Sequence, residues 1–191
     1  MAVDLDRLAR FLSTAFSPAA VAVGGSVIIA AVYGIGWSAA SQVTGLGIIT
    51  VVLPLLTARE IAERHMGYDL SRKEDRPRFY LMSALLSAVY IAALRAADAP
   101  IAIMELVYAG IAAVLVGALV NYRTKASVHT GAVTGLAAMV SFRSPAAGLV
   151  LFMLAGAVAW SRVRLGRHTT RQVIYGGAVS AACVTTVLVS V

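Results

Sequence analysis

The sequence predicts an all-α fold, a polytopic bundle of about six or seven transmembrane helices with a short interfacial helix at its amino-terminal end. Three observations support this prediction. The 191 residues are 60% hydrophobic and 13% charged, whereas soluble domains are roughly 45–50% apolar and about 25% charged. The mean hydropathy is +0.84. The apolar residues also form long runs separated by polar loops, which is typical of a multi-span membrane protein.

Residues 1–17 are predicted to form the interfacial helix. Leu5, Leu8 and Leu12 recur at helical spacing, and charged residues lie between them, so one face is apolar and the other is charged. Such a helix lies in the membrane surface rather than across the bilayer. Residues 18–191 are then predicted to form a single transmembrane domain.

Seven apolar segments follow, and each is predicted to be helical because lipid offers no partner to unpaired backbone groups. The segments are 18–36, 42–58, 79–95, 100–120, 129–142, 145–160 and 172–190. A span needs about 20 residues, roughly 17–25, so the fifth and sixth are short. Their small residues favour packing inside the bundle over exposure to lipid.

Three polar loops separate these segments: loop one at 57–78, loop two at 121–130 and loop three at 161–172. Two predicted spans lie between successive loops, so all three are expected on one membrane face. Of the 16 lysines and arginines, all but Arg95 and Arg143 fall on that face. The positive-inside rule therefore predicts that the loops face the cytoplasm of a bacterial or archaeal cell.

The net charge of +7 points to anionic partners. A chain this apolar has little soluble surface for nucleic acid, so membrane lipid and a phosphate-bearing ligand are expected. The high apolar fraction and the low charge exclude a soluble globular enzyme. They also exclude a disordered chain, because disorder requires low hydrophobicity. The single cysteine, Cys183, excludes an intrachain disulfide. The oligomeric state is left open.

The converging loops would bring imidazoles, cations and hydroxyls together. These residues are His129, His168, Arg72, Lys73, Arg76, Lys125, Arg162, Arg164, Arg167, Ser127 and Thr130. Two imidazoles among fixed cations suit phosphoryl transfer, since one can attack phosphorus and the other can protonate the leaving oxygen. The cations would stabilise the charge on the phosphoryl oxygens. Such a site is expected to need no metal and no cofactor.

These loops resemble the three signatures of the type 2 phosphatidic acid phosphatase superfamily. Loop three has S-R-x5-H-x3-Q at 161–172, similar to S-R-x5-H-x3-D. Loop two has K-A-S-V-H-T at 125–130, similar to P-S-G-H, and loop one ends in R-P at 76–77, similar to K-x6-R-P. The resemblance covers about residues 70–190 and implies a helical membrane phosphatase.

The resemblance implies a role for each matching residue. His168 would be the nucleophile that forms a phosphohistidine. His129 would be the general acid and then the base that activates water. Arg162 and Ser127 would bind the phosphate, and Arg76 occupies the position of the R-P arginine.

The chain departs from the family pattern in all three signatures, and in loop two Ala126 and Val128 replace the proline and the glycine. Asp69 stands where the family has lysine, and Arg72, Lys73 or Lys125 is expected to supply the missing charge. Gln172 replaces the aspartate that orients the nucleophilic imidazole. Four residues apart, glutamine and histidine share a helix face. A glutamine carbonyl can accept from Nδ1–H, but it cannot stabilise an imidazolium as a carboxylate does.

The sequence thus predicts a membrane-embedded phosphatase that hydrolyses a lipid phosphate or polyprenyl (di)phosphate through a phosphohistidine intermediate. Two alternatives from other classes stay open. Gln172 and Asp69 are compatible with a non-catalytic protein that binds lipid phosphate. Asp69, Glu74 and Asp75 would hold Mg²⁺ on a diphosphate if the protein were a prenyl-diphosphate transferase or cyclase.

Overall fold

The computed structural model describes residues 4–54, 56 and 76–190, and every regular element in these residues is a helix. The helices are α1 (Leu5–Ala15), α2 (Pro18–Tyr33), α3 (Trp37–Gly47), α4 (Arg76–Ala96), α5 (Ile101–Arg123), α6 (Val128–Ser141), α7 (Pro145–Arg164) and α8 (Thr170–Ser190). α3 continues as a π-helical stretch, Ile48–Val52. The predicted all-α class is confirmed.

Four of the described helices are long and apolar enough to cross a membrane, namely α4, α5, α7 and α8. The bent pair of α1 and α2 raises the number to five if the pair forms one span. These helices are compatible with an integral membrane protein. The predicted count of six or seven spans is not confirmed, because α6 has 14 residues and the segment 42–58 runs beyond the described residues.

α1 is a separate helix that packs along α7. Asp4 begins it, because its side chain accepts hydrogen bonds from two backbone N–H groups of the first turn, as N-cap residues do. Ala9 and Ser13 are buried, and the axis bends by 64° at the junction with α2. The helix expected within 1–17 is therefore present, while its placement at the membrane surface stays a prediction.

α6 is the central helix of the described bundle. Ten of its 14 residues are buried, because it packs against α2, α7 and α8. Small side chains such as Gly131 and Ala137 allow these neighbours to approach closely. The expectation that the short segments pack inside the bundle is confirmed for 129–142. It is wrong for 145–160, which lies in the 20-residue α7, where only five residues are buried.

The end of the bundle away from loops two and three is closed by tyrosine contacts. The Tyr33 hydroxyl at the end of α2 donates to the Met139 carbonyl of α6 at 2.8 Å. The Arg143 guanidinium lies 5.3 Å from the Tyr33 ring centroid, and Arg95 Nη2 donates to the Tyr108 hydroxyl at 2.8 Å. The two arginines that the sequence placed on the opposite face therefore bind tyrosines there.

Candidate functional site

A tight turn after α7 brings His168 back to Arg162. Gly166 adopts φ +65°, a left-handed conformation that glycine reaches without steric cost. Its N–H donates to the Val163 carbonyl at 3.0 Å, and the Arg167 N–H donates to the Arg162 carbonyl at 3.1 Å. This pair of bonds is the Schellman motif. The His168 N–H also donates to the Arg162 carbonyl, at 3.3 Å. The five residues between Arg162 and His168 therefore form the end of α7 and this turn.

The imidazole of His168 is held through one nitrogen by two carbonyl oxygens. Nδ1 lies 3.2 Å from the backbone oxygen of Lys125 and 3.2 Å from Oε1 of Gln172. Both oxygens are acceptors, so Nδ1 carries a proton and, in the neutral ring, the lone pair is on Nε2. His168 is 7% exposed. The arrangement therefore makes Nε2 the unprotonated nitrogen of the neutral ring, in a region largely shielded from solvent.

Gln172 has a second task that sequence reasoning missed. Its Oε1 accepts from the Thr169 N–H at 3.1 Å, while the Thr169 hydroxyl oxygen accepts from the Gln172 N–H at 3.4 Å. This reciprocal pair is a capping box. The sequence T-T-R-Q at 169–172 contained this signal, since the threonine and the glutamine stand three residues apart. One glutamine thus begins α8 and orients His168.

Loop two is bonded to loop three through Ser127. Its backbone N–H donates to the Gln172 carbonyl at 3.1 Å. Its hydroxyl oxygen begins α6 by accepting from the Thr130 N–H at 3.4 Å and from the Thr130 hydroxyl at 3.1 Å. Ser127 is fully buried. Since its oxygen accepts both bonds, its own O–H proton takes part in neither of them.

His129 and Lys125 flank Ser127 in the sequence. His129 is the second residue of α6 and is 6% exposed. Lys125 is half-buried in the loop and contributes its carbonyl to His168. α6 and α8 both begin here, so two positive helix ends face the same region. Loops two and three therefore meet as predicted.

Arg162 is the most deeply buried of the predicted site's cations that the structure describes. It is 3% exposed, and its Nη1 donates to the Ser13 hydroxyl oxygen at 2.6 Å. Two residues further along α7, Arg164 Nε lies 2.8 Å from Asp6 Oδ1, with both side chains substantially exposed, so this ion pair contributes little stability. Sequence reasoning missed Ser13 altogether. The two residues are 149 positions apart, so no local sequence pattern indicates their contact.

The crossing of α6 and α8 is close enough to need glycine. A Cβ at Gly176 would lie 2.3 Å from the Ser127 carbonyl oxygen. A Cβ at Gly131 would lie 2.9 Å from the Ser180 hydroxyl oxygen and 3.1 Å from the Gly176 carbonyl oxygen. Backbone atoms on both sides leave no room for a methyl group. The position of Ser127 in the site therefore depends on this crossing.

Replacing Gly176 by alanine is expected to lower the stability of the purified protein by about 1–3 kcal/mol, because the methyl group overpacks this crossing. Thermal unfolding in detergent measures the effect. Gly156→Ala is the matched control, since a Cβ there meets nothing within 4 Å and alanine favours helix. Equal melting temperatures for the two variants would contradict the close crossing.

Part of the predicted site lies outside the described residues. Arg72, Lys73 and the possible magnesium ligands Asp69, Glu74 and Asp75 belong to that part. Arg76 is the first residue of α4, and its side chain is likewise not described. Among the described residues, no group of three His, Cys, Asp or Glu side chains is placed to hold a metal ion.

The described residues define a class, an all-helical bundle compatible with a membrane protein, in which loops two and three meet and carry buried Ser127, His129, Arg162 and His168. Comparisons of the chain with models of protein families, with curated proteins and with solved structures found no match.

Proposed function

We propose that the protein is a membrane-embedded phosphatase that hydrolyses a lipid phosphate or polyprenyl (di)phosphate. One observation carries the proposal: His168 is buried beside the backbone of Arg162, with Nδ1 engaged by two carbonyl oxygens. A neutral histidine held in this way has its reactive lone pair on Nε2. The cationic residues Lys125 and Arg162, whose backbone oxygens bond His168, suit a phosphoryl group better than a carbonyl substrate.

The proposed reaction has two displacements at phosphorus. In the first, Nε2 of His168 attacks phosphorus, the bond to the leaving oxygen breaks, and His129 gives that oxygen a proton. In the second, His129 takes a proton from water, the water oxygen attacks phosphorus, and the bond to Nε2 breaks. Inorganic phosphate leaves, and both imidazoles return to their starting states. Arg162 and Ser127 bind the phosphoryl oxygens throughout.

A second candidate function is favoured by the partners of Nδ1. Both are neutral carbonyl oxygens, which stabilise a positive imidazole ring less than a carboxylate does. A protein that binds lipid phosphate without hydrolysing it would tolerate such partners. Purified protein in lipid nanodiscs, tested for phosphate release against a panel of lipid phosphates, separates the two: binding without release supports the second function.

Activity is expected to persist in EDTA and to be inhibited by vanadate. The fixed cations of the site take the role of a metal ion in stabilising transferred phosphoryl, and vanadate imitates phosphorus with five ligands. Initial rates of phosphate release with and without each reagent measure this. Turnover that disappears in EDTA and returns with Mg²⁺ would contradict the proposal and favour a prenyl-diphosphate enzyme.

We also propose that the site faces the cytoplasm, because the positive-inside rule applies to the short loops that bear the cations. Thr170 at the site end and Ala97 at the opposite end are both exposed. In a Cys183→Ala background, Thr170→Cys is expected to resist an impermeant maleimide in intact cells, while Ala97→Cys reacts. The reverse labelling pattern would place the site outside the cytoplasm.

A further inference from the structure

The bundle contains an elongated apolar cavity of about 220 Å³. It lies among α2, α3, α4, α5, α6 and α8, and its walls are aliphatic side chains and glycines with few polar groups. For scale, an engineered apolar cavity of about 150 Å³ holds a benzene ring. This cavity is larger and equally apolar, so a group that occupies it is expected to be uncharged along its length.

The cavity begins at the site. Ser127 lines it, and the same residue bonds loop two to loop three at Gln172. From there its lining follows α6 through Gly131 and Gly135 to Met139. Twelve residues of helix correspond to about 18 Å, more than half of the roughly 30 Å thickness of the hydrocarbon core. A group bound at Ser127 therefore has a continuous apolar path beneath it.

We propose that this cavity holds the hydrocarbon chain of the substrate, and that the substrate class is the single-chain lipid phosphates, alkyl or prenyl. The inference rests on the proposed function for its headgroup. A volume of about 220 Å³ spread over about 18 Å has the cross-section of one chain. A two-chain glycerolipid with its phosphate at Ser127 would need a second apolar path beside this one.

The selection is steric. Lipid tails are as apolar as leucine, so a chain gains no hydrophobic free energy on moving from the bilayer into the cavity. The cavity therefore sorts substrates by whether the chain fits, and its glycines provide the space. Filling that space with a side chain is expected to exclude the chain while leaving the cations and the histidines in place.

Gly117 of α5 offers a direct test, because it lines the cavity and a Cβ there meets nothing within 4 Å. Gly117→Leu inserts four carbon atoms without an initial clash and replaces glycine by a better helix former. Gly156 of α7 is the matched control. It is exposed, does not line the cavity, and has the same open space around its Cβ.

The assay compares hexadecyl phosphate with phenyl phosphate, which has no chain, in nanodiscs. Gly117→Leu is expected to lower the ratio of kcat/KM for hexadecyl phosphate to kcat/KM for phenyl phosphate by about tenfold, and Gly156→Leu to keep the wild-type ratio. Equal ratios in the two variants would overturn the proposal, as would a wild-type preference for dioleoyl phosphatidate over hexadecyl phosphate. Ala113→Leu, at another lining residue, replaces Gly117→Leu if that variant does not fold.

Direct binding of hexadecyl phosphate separates this inference from the proposed function. If the wild-type protein binds it, releases no phosphate, and loses about tenfold in affinity in Gly117→Leu, then the phosphatase proposal fails and the chain site stands. If phosphate is released but both leucine variants bind hexadecyl phosphate as the wild type does, the chain site fails and the phosphatase proposal stands.

Discussion

Phosphate release by His168→Ala is expected to fall by at least about 10³-fold, because the variant lacks the atom that forms the covalent intermediate. The imidazole is held from behind by the Lys125 and Gln172 oxygens. Neither group can replace Nε2 as a nucleophile. The measurement is the initial rate with a lipid phosphate in nanodiscs, with thermal unfolding as the control for folding.

A phosphohistidine also predicts a species that can be trapped. An alkaline quench during turnover, followed by mass spectrometry, is expected to find phosphate on His168 in the wild-type protein and none in His168→Ala. A folded variant with near-normal activity would refute the assignment of the nucleophile.

Gln172→Glu refines the same test. Aspartate is the residue at this position in the resembling signature, but glutamate keeps the length of the side chain and so keeps an oxygen at the Thr169 N–H. A carboxylate behind Nδ1 stabilises positive charge on the ring, so activity is expected to be retained or raised. A large loss with intact folding would mean that Gln172 acts otherwise than by orienting His168.

Composition and hydrophobic runs were enough to predict the helical class, because lipid permits few other ways to pair the backbone. The glycines and alanines of 129–142 correctly predicted a buried helix, since small residues mark close helix contacts. The contact between loops two and three was predictable because two helices of opposite direction lie between them, which places both loops at the same end of the bundle. The turn at Gly166 explains in addition why the histidine falls six residues after Arg162.

Span number could not be predicted in the same way. Segment 129–142 is apolar but forms a 14-residue helix, and 18–36 belongs to a helix pair bent by 64°. Hydropathy measures how apolar a segment is and says little about its path through the bundle. The bond from Arg162 to Ser13 could not be predicted either. The sequence pattern of α1 indicates one apolar and one charged face, but it does not say which surface the helix packs against.

His129→Ala is expected to lower kcat/KM for a lipid phosphate by roughly 10²–10⁴-fold, the usual contribution of a general acid or base. His129 stands in the first turn of α6, buried and two residues after Ser127. In the proposed first step it protonates the leaving lipid oxygen, which is a poor leaving group without that proton. The second step needs it as a base toward water.

These two roles predict that the loss in His129→Ala depends on the leaving group. p-Nitrophenolate leaves without a proton, so the first step is expected to survive with p-nitrophenyl phosphate while the second step slows. Rapid mixing should then show a burst of about one p-nitrophenolate per protein, followed by slow turnover as the phosphohistidine persists. With hexadecyl phosphate the same variant should show no burst, because the first step is itself slow. A loss of equal size for both substrates, without a burst for either, would mean that His129 supports the fold of loop two and does not transfer the proton.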